Sequence, residues 1–134
     1  MYSLTPSMLT GVSQLDAEHQ DLVLAINLIE EAEHRHAVPD LIKRLIAFKD
    51  EMALHFRHEE TYLDLLRYPA RDAHAKHHAE TLVALARMAE ELDDGRLEPG
   101  DIAAACFNEL LGTVLMMDMR FLNWHAEQKR RAGK

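Results

Sequence analysis

The sequence predicts an all-α fold, an antiparallel up-down four-helix bundle with an irregular N-terminal arm. Four long segments carry apolar residues at a period near 3.6, which is typical of amphipathic helices. The breaks between these segments are short, which favours antiparallel neighbours, and no segment shows the period of two that indicates a strand. A chain of 134 residues has the length of one ordinary domain. We therefore predict a single domain over residues 1–134.

The predicted elements follow in order along the chain. Residues 1–13 contain Pro6 and Gly11 and are predicted to form the irregular arm. Pro39 suits the first turn of a helix, and the Pro69 ring pushes the preceding residue out of the helical region. Asp, Gly and Pro residues between positions 93 and 101 mark the last break. The four helices are predicted over residues 15–36, 40–67, 70–92 and 101–130.

The composition argues against several classes of function. The chain carries 15 Lys and Arg against 23 Asp and Glu, which gives a net charge of −8. This sign argues against nucleic-acid binding and against docking on an anionic membrane, since both depend on basic residues. The single cysteine, Cys106, cannot form an intrachain disulfide, and the N-terminus lacks the pattern of a secretory signal. The expected location is therefore the cytoplasm.

Histidine is the unusual feature of the composition, with nine among the 134 residues. On every predicted helix an imidazole or a carboxylate falls on the apolar stripe: His19, His55, Glu59, His74, His78 and His125. Burying such groups without partners costs about 1–3 kcal/mol each, and a shared metal ion removes that cost. Imidazole and carboxylate ligands without thiolate suit iron, manganese or zinc, and ligand type alone does not choose among them.

The other histidines carry a weaker signal. His34 and His36 lie at the end of the first predicted helix, where solvated surface is the expected environment. His58 and His77 each precede a predicted ligand by one position, so they lie about 100° away around the helix. We expect them to be exposed or half-buried, with hydrogen bonding to a ligand as the alternative.

Several motifs of this sequence resemble those of the hemerythrin family, in particular the short single-domain bacterial hemerythrins. Asp-Ala-Glu-His at 16–19 is similar to the Asp-x-x-His of the family's first helix. His-Phe-Arg-His-Glu-Glu at 55–60 resembles its His-Phe-x-x-Glu-Glu, and Tyr-Pro at 68–69 precedes the His-x-x-x-His at 74–78. His125 resembles the family's fifth histidine. The fragments occur in the family's order and extend over nearly the whole chain.

This resemblance implies a non-haem di-iron centre that binds dioxygen for storage, delivery or sensing. One iron would be bound by His74, His78 and His125, the other by His19 and His55, and Glu59 would bridge the two. Dioxygen would bind at the two-histidine iron and be reduced reversibly to a hydroperoxide as both irons are oxidised. The expected cofactor is therefore iron, with two ions per chain, and the expected partner is dioxygen, with nitric oxide as an alternative.

The chain departs from the family's His-x4-Asp motif, because Arg130 stands five residues after His125. An arginine cannot replace a bridging carboxylate. Three alternatives remain: Glu127 or Gln128 substitutes for it, a ligand from solution fills the bridge, or only one iron binds well. Residues five apart lie about 140° from each other on a regular helix, so the family's spacing predicts an irregular turn such as a π-bulge.

An enzyme is the alternative to an oxygen-binding protein. The altered bridge favours an oxidase, a peroxidase or a nitric-oxide-handling enzyme with one or two irons, and iron storage is a further alternative. Binding remains the preferred hypothesis over catalysis. The sequence specifies neither the oxygen affinity nor the oligomeric state nor a partner protein.

Overall fold

A computed structural model describes residues 1–133 of the chain, with side chains at every position except 113. The described residues form an all-helical bundle without strands, which confirms the predicted fold class. The elements are a 3-10 turn (Pro6–Met8), α1 (Ser13–His34), α2 (Val38–Leu65), α3 (Arg71–Asp93), α4 (Ile102–Glu109), a π segment (Leu110–Leu115) and α5 (Met116–Ala132). The last three run on from one another and together form the fourth rod of the bundle.

The helices end where backbone geometry interrupts them. His36 and Arg67 follow α1 and α2 in the left-handed region, with φ of 52° and 54°. Pro39 occupies the first turn of α2, as predicted, where a missing N–H removes no helical hydrogen bond. Gly95 follows α3 with a φ of 74°, a conformation that glycine adopts without steric cost. These short connections make successive helices antiparallel neighbours.

The core is a continuous apolar cluster to which every rod contributes. Its fully buried side chains include Leu22, Ile26, Leu45, Phe48, Met52, Cys106 and Leu110. Burial of apolar surface at this scale is the main stabilising contribution to a small helical bundle. The ligand-type residues of the sequence lie on the same inward faces, so the fold carries polar groups into a region that excludes water.

A carboxylate of α1 fixes the start of the fourth rod. Glu33 is buried, and its two oxygens accept hydrogen bonds from the backbone N–H groups of Ile102 and Ala103, at 2.8 and 2.7 Å. These N–H groups have no partner within the helix, because no preceding turn supplies carbonyl groups to accept their hydrogen bonds. Glu33 therefore caps α4 from another helix and sets its position along the bundle.

The fourth rod is interrupted by the π segment, in which each turn is wider than an α-helical turn. This irregular turn was predicted from motif spacing, but it lies at Leu110–Leu115 rather than after His125. By length and apolar composition, Ile102–Ala132 also meets the criteria for a membrane-spanning helix. This is weak evidence for a membrane span, because buried core helices meet the same criteria. The residues Leu110, Val114 and Phe121 of this segment are buried within the bundle.

Candidate metal centre

Six buried side chains converge in the interior and form two adjacent groups. The first group is His19, His55 and Asp118, and the second is Glu59, His74 and His78. Within each group the candidate ligand atoms all lie within 4.8 Å of one another. None of the six residues is more than 2% exposed. Each group has the donor types of a metal site with imidazole and carboxylate ligands.

The helices bring these residues together through one-turn spacings. His55 and Glu59 lie one turn apart on α2. His55 belongs to the first group and Glu59 to the second, so the two groups are adjacent along this helix. His74 and His78 lie one turn apart on α3 and belong to the same group. α1, which packs against α2 and α4, contributes His19.

The two carboxylates lie between the imidazoles and within reach of both groups. Asp118 Oδ2 is 2.9 Å from His19 Nε2 and 3.7 Å from His55 Nε2, and Asp118 Oδ1 is 3.9 Å from His74 Nε2. Glu59 Oε2 is 3.3 Å from His55 Nε2, while Glu59 Oε1 contacts His74 and is 3.4 Å from His78 Nε2. Both carboxylates therefore occupy positions from which they can bridge two cations.

Many polar atoms of this cluster have no hydrogen-bond partner although they are buried. They are His19 Nδ1, His55 Nε2, both oxygens of Glu59, His74 Nε2, His78 Nε2 and Asp118 Oδ1. Buried polar groups are satisfied in the great majority of cases, and each orphan costs about 1–3 kcal/mol. Six of these atoms would be satisfied by coordination to bound cations, and His19 Nδ1 is the exception because His19 meets Asp118 through Nε2.

Electrostatic interactions within the cluster shift several pKa values. Burial alone would lower the pKa of His55, but contacts with Asp118 and Glu59 outweigh it and raise that pKa to about 10. Burial and the nearby Glu59 carboxylate raise the pKa of Asp118. Burial would also raise the pKa of Glu59, but contacts with Asp118 and the surrounding imidazoles lower it far below its usual range. A bound cation would take over the role of the imidazolium charge, and metal binding would release protons.

Two further carboxylates contact the outer ring nitrogens of these imidazoles. Glu18 Oε1 lies 2.7 Å from His55 Nδ1, and Glu18 Oε2 lies 2.9 Å from His58 Nδ1. Glu60 Oε2 lies 3.1 Å from His78 Nδ1. These contacts leave the Nε2 atoms of His55 and His78 facing the interior. His58 is exposed, as predicted: its side chain is 46% exposed, and it contacts Glu18 rather than one of the predicted ligands.

His125 is the one predicted ligand that the structure does not bring into either group. Its ring is partly buried and stacks on Phe121, with a centroid distance of 6.1 Å. His125 lies seven residues beyond Asp118, which on a helix is about 10 Å along the axis, so it projects from a different level of the bundle. Arg130 lies still farther along, is 71% exposed and pairs with Glu127.

The fourth rod contributes Asp118 in place of these residues. The alternatives considered for the bridge, Glu127, Gln128 or a ligand from solution, did not include Asp118, which the structure places beside His19 and His55. The available signal was an aspartate inside the apolar run of residues 110–121. In the register that ends at Asp118, the His-x4-Asp spacing begins at Thr113, so the chain has threonine where the motif has histidine.

Aromatic side chains pack next to the centre at the end of the bundle. Phe121 contacts Tyr62 and Tyr68 edge-on, with centroids 5.6 and 5.4 Å apart. Tyr68 in turn contacts His74 and Trp124, at 6.3 and 5.2 Å. These rings cover the centre on the side of the fourth rod.

A cavity of about 240 Å³ approaches the centre from the beginning of α1. Its wall includes the apolar side chains of Val12, Leu15, Tyr62 and Leu65, and Glu59 forms part of its lining. The cavity offers a small apolar molecule a route toward Glu59, which lies within 4 Å of imidazoles from both ligand groups.

Comparison with protein families identifies the type of domain. A family model described as the hemerythrin HHE cation-binding domain matches residues 10–127, which is most of the chain. Among curated proteins, none matches the chain significantly. The family match supports a cation-binding role for the buried histidine and carboxylate groups.

Proposed function

The chain belongs to the hemerythrin family, and we propose that it is a non-haem di-iron protein that binds dioxygen for storage, delivery or sensing. The observation that carries this proposal is the pair of buried ligand groups that share Glu59 and Asp118 at their boundary. When bound there, an iron pair would supply the redox chemistry by which dioxygen is held and released.

The ligand set supports two cations rather than one. Each group has two imidazoles and one carboxylate, and each carboxylate lies within 4 Å of imidazoles from both groups. Two carboxylates offset part of the charge that two divalent cations would bring into a region of low dielectric. Iron is the proposed metal because imidazole and carboxylate ligands suit it and the family typically takes it.

Apolar residues around the centre would exclude water from it. Phe56 is 1% exposed and stacks on the His78 ring, with centroids 3.8 Å apart and planes at 6°. Leu22, Met52 and Leu63 are also fully buried. Exclusion of water and protons slows the irreversible loss of electrons from a reduced centre, and slow loss favours binding over catalysis.

An oxidase, a peroxidase or a nitric-oxide-handling enzyme is the second candidate, and one observation favours it. Among the residues whose side chains the structure describes, each ligand group has only two imidazoles, since His125 lies outside both. Fewer protein ligands leave more positions open to an exogenous molecule, and this favours turnover. For either function, the net charge of −8 argues against binding to nucleic acid or to anionic membranes. The proposed location is the cytoplasm.

The test combines metal analysis with a dioxygen cycle. The protein is loaded with ferrous iron anaerobically, and iron per chain is measured; the proposal expects two. Dioxygen is then admitted and removed while the visible absorbance is recorded. A band that appears with dioxygen and disappears on its removal, over repeated cycles, is the expected result. A band that decays irreversibly while an added reductant is consumed would contradict reversible oxygen binding and support the enzyme hypothesis.

A further inference from the structure

We infer that Glu18 is the positioning residue of this metal centre: its carboxylate holds the His55 ring so that Nε2 faces the ligand groups. This inference rests on the proposed metal-binding function and deepens it. Glu18 is not a member of either ligand group, yet it directly precedes His19 on α1 and faces α2 across the bundle.

The geometry of the carboxylate is bidentate. Its two oxygens lie 2.7 and 2.9 Å from the Nδ1 atoms of His55 and His58, which are three residues apart on α2. Glu18, on α1, therefore contacts two histidines of a single turn of α2. The His55 side chain is 1% exposed and the His58 side chain is 46% exposed, so water replaces a lost partner more readily at His58 than at His55.

The chemistry of the contact determines which nitrogen of His55 is free. An ionised carboxylate only accepts hydrogen bonds, so Nδ1 of His55 carries the proton and donates it. The lone pair of the neutral ring then resides on Nε2, the atom that lies 3.3 Å from Glu59 and 3.7 Å from Asp118. Without an acceptor at Nδ1, the buried ring is free to adopt the other tautomer or to rotate, and either change removes the ligand atom.

Two substitutions at this position separate positioning from the effect of charge. Glu18→Ala removes both acceptors. Glu18→Gln removes the charge but keeps one amide oxygen for His55, and its NH₂ group faces His58, which is exposed enough to change tautomer. A positioning role therefore predicts a large effect of alanine and a small effect of glutamine. Simple attraction of cations predicts that both substitutions weaken metal binding equally.

Asp21 provides a matched control. It lines the same cavity of about 120 Å³ as Glu18 and His55, and among the described residues it makes no hydrogen bond to His55. Asp21→Ala removes a carboxylate near the centre without removing an acceptor from an imidazole. It is therefore expected to leave the metal affinity within about threefold of the unsubstituted protein, as is typical of exposed charges.

The experiment measures cobalt(II) affinity, which requires no dioxygen, by following the visible absorbance of the bound ion. Glu18→Ala is expected to weaken cobalt binding by about 10- to 100-fold, and Glu18→Gln by much less. Nitrogen NMR of the zinc-loaded proteins, in which a cation replaces the proton on Nε2, gives a second readout: His55 is expected to carry its proton on Nδ1 in the unsubstituted and glutamine proteins, and to lose that preference in the alanine variant.

The outcomes distinguish this inference from the proposed function. Unchanged cobalt affinity and an unchanged His55 tautomer in Glu18→Ala would overturn the positioning role while the metal centre stands. Equal weakening by alanine and glutamine would overturn it in favour of charge. Absence of cobalt binding in the unsubstituted protein would overturn the metal centre and the inference with it. Failure of the dioxygen cycle alone would leave the positioning role intact.

Discussion

At the scale of single residues, Asp118 and His125 present the sharpest contrast in the fourth rod. Both lie in α5, and both carry a side chain that can bind a metal. Asp118 is 1% exposed and lies 2.9 Å from His19, whereas His125 is partly buried and stacks on Phe121. Position along the rod, and not residue type, decides which of them meets the ligands of the other helices.

The same amide substitution at both positions tests this contrast. Asp118→Asn removes the charge that a pair of cations requires and is expected to reduce iron per chain to one or fewer. His125→Asn is expected to leave two irons bound, because its ring contributes only stacking on Phe121. Iron and protein are quantified after anaerobic loading and desalting. Loss of iron from the His125 variant with retention in the Asp118 variant would reverse the assignment.

Cys106 allows a prediction from a pKa. Burial raises the pKa of this thiol to about 12, with added repulsion from Glu33 and Glu109, so the thiol stays neutral at ordinary pH. The thiolate is the reactive form, and the side chain is 0% exposed. A disulfide reagent at pH 8 is therefore expected to label the folded protein far more slowly than the protein in denaturant. Equal rates in the two states would contradict the described packing.

At the scale of secondary structure, Glu33 connects the end of α1 to the beginning of the fourth rod. Glu33→Ala leaves two N–H groups, those of Ile102 and Ala103, without an acceptor. Because both are buried, the free energy of unfolding is expected to fall by about 2–4 kcal/mol. Urea denaturation followed by circular dichroism measures this change.

Glu31 supplies the control for that substitution. Its side chain is 64% exposed and pairs only weakly with Arg35, at 3.6 Å. Glu31→Ala is expected to change the free energy of unfolding by less than about 0.5 kcal/mol. Similar denaturation midpoints for the two variants would argue against the capping role of Glu33.

The elements also show what the sequence was able to predict. The periodic spacing of apolar residues predicted the helices, because this spacing can be read from a short stretch of sequence. The one-turn pairs His55/Glu59 and His74/His78 were identified for the same reason, and the structure brings them together with His19. The register of the fourth rod was missed, since it depends on the π segment and on Glu33, which act through hydrogen bonds that periodicity does not record.

At the scale of the whole molecule, the bundle encloses a polar cluster that the metal-free fold satisfies only in part. Seven nitrogen and oxygen atoms of the six clustered residues are buried without a hydrogen-bond partner. Such atoms oppose folding, and the surrounding apolar core has to offset their cost. Cations that coordinate the atoms other than His19 Nδ1 would therefore stabilise the folded chain over the unfolded one.

Metal binding is thus expected to raise the melting temperature. At a free metal concentration about 100 times the dissociation constant, linkage predicts about 2.7 kcal/mol of added stability. For a chain of this size, that corresponds to roughly 8 °C or more in Tm. Zinc or cobalt, which need no protection from air, suit calorimetric scans with and without a chelator. An unchanged Tm across a saturating titration would argue against a preformed site.

The central claim is that six side chains from all four rods bind one pair of iron ions. A crystal structure of the iron-loaded protein, with data collected on both sides of the iron absorption edge, tests it most directly. The account predicts two anomalous peaks about 3.5–4 Å apart, one beside His19 and His55 and the other beside His74 and His78, with Glu59 and Asp118 between them. Anomalous density at His125, or none within the cluster, would contradict it.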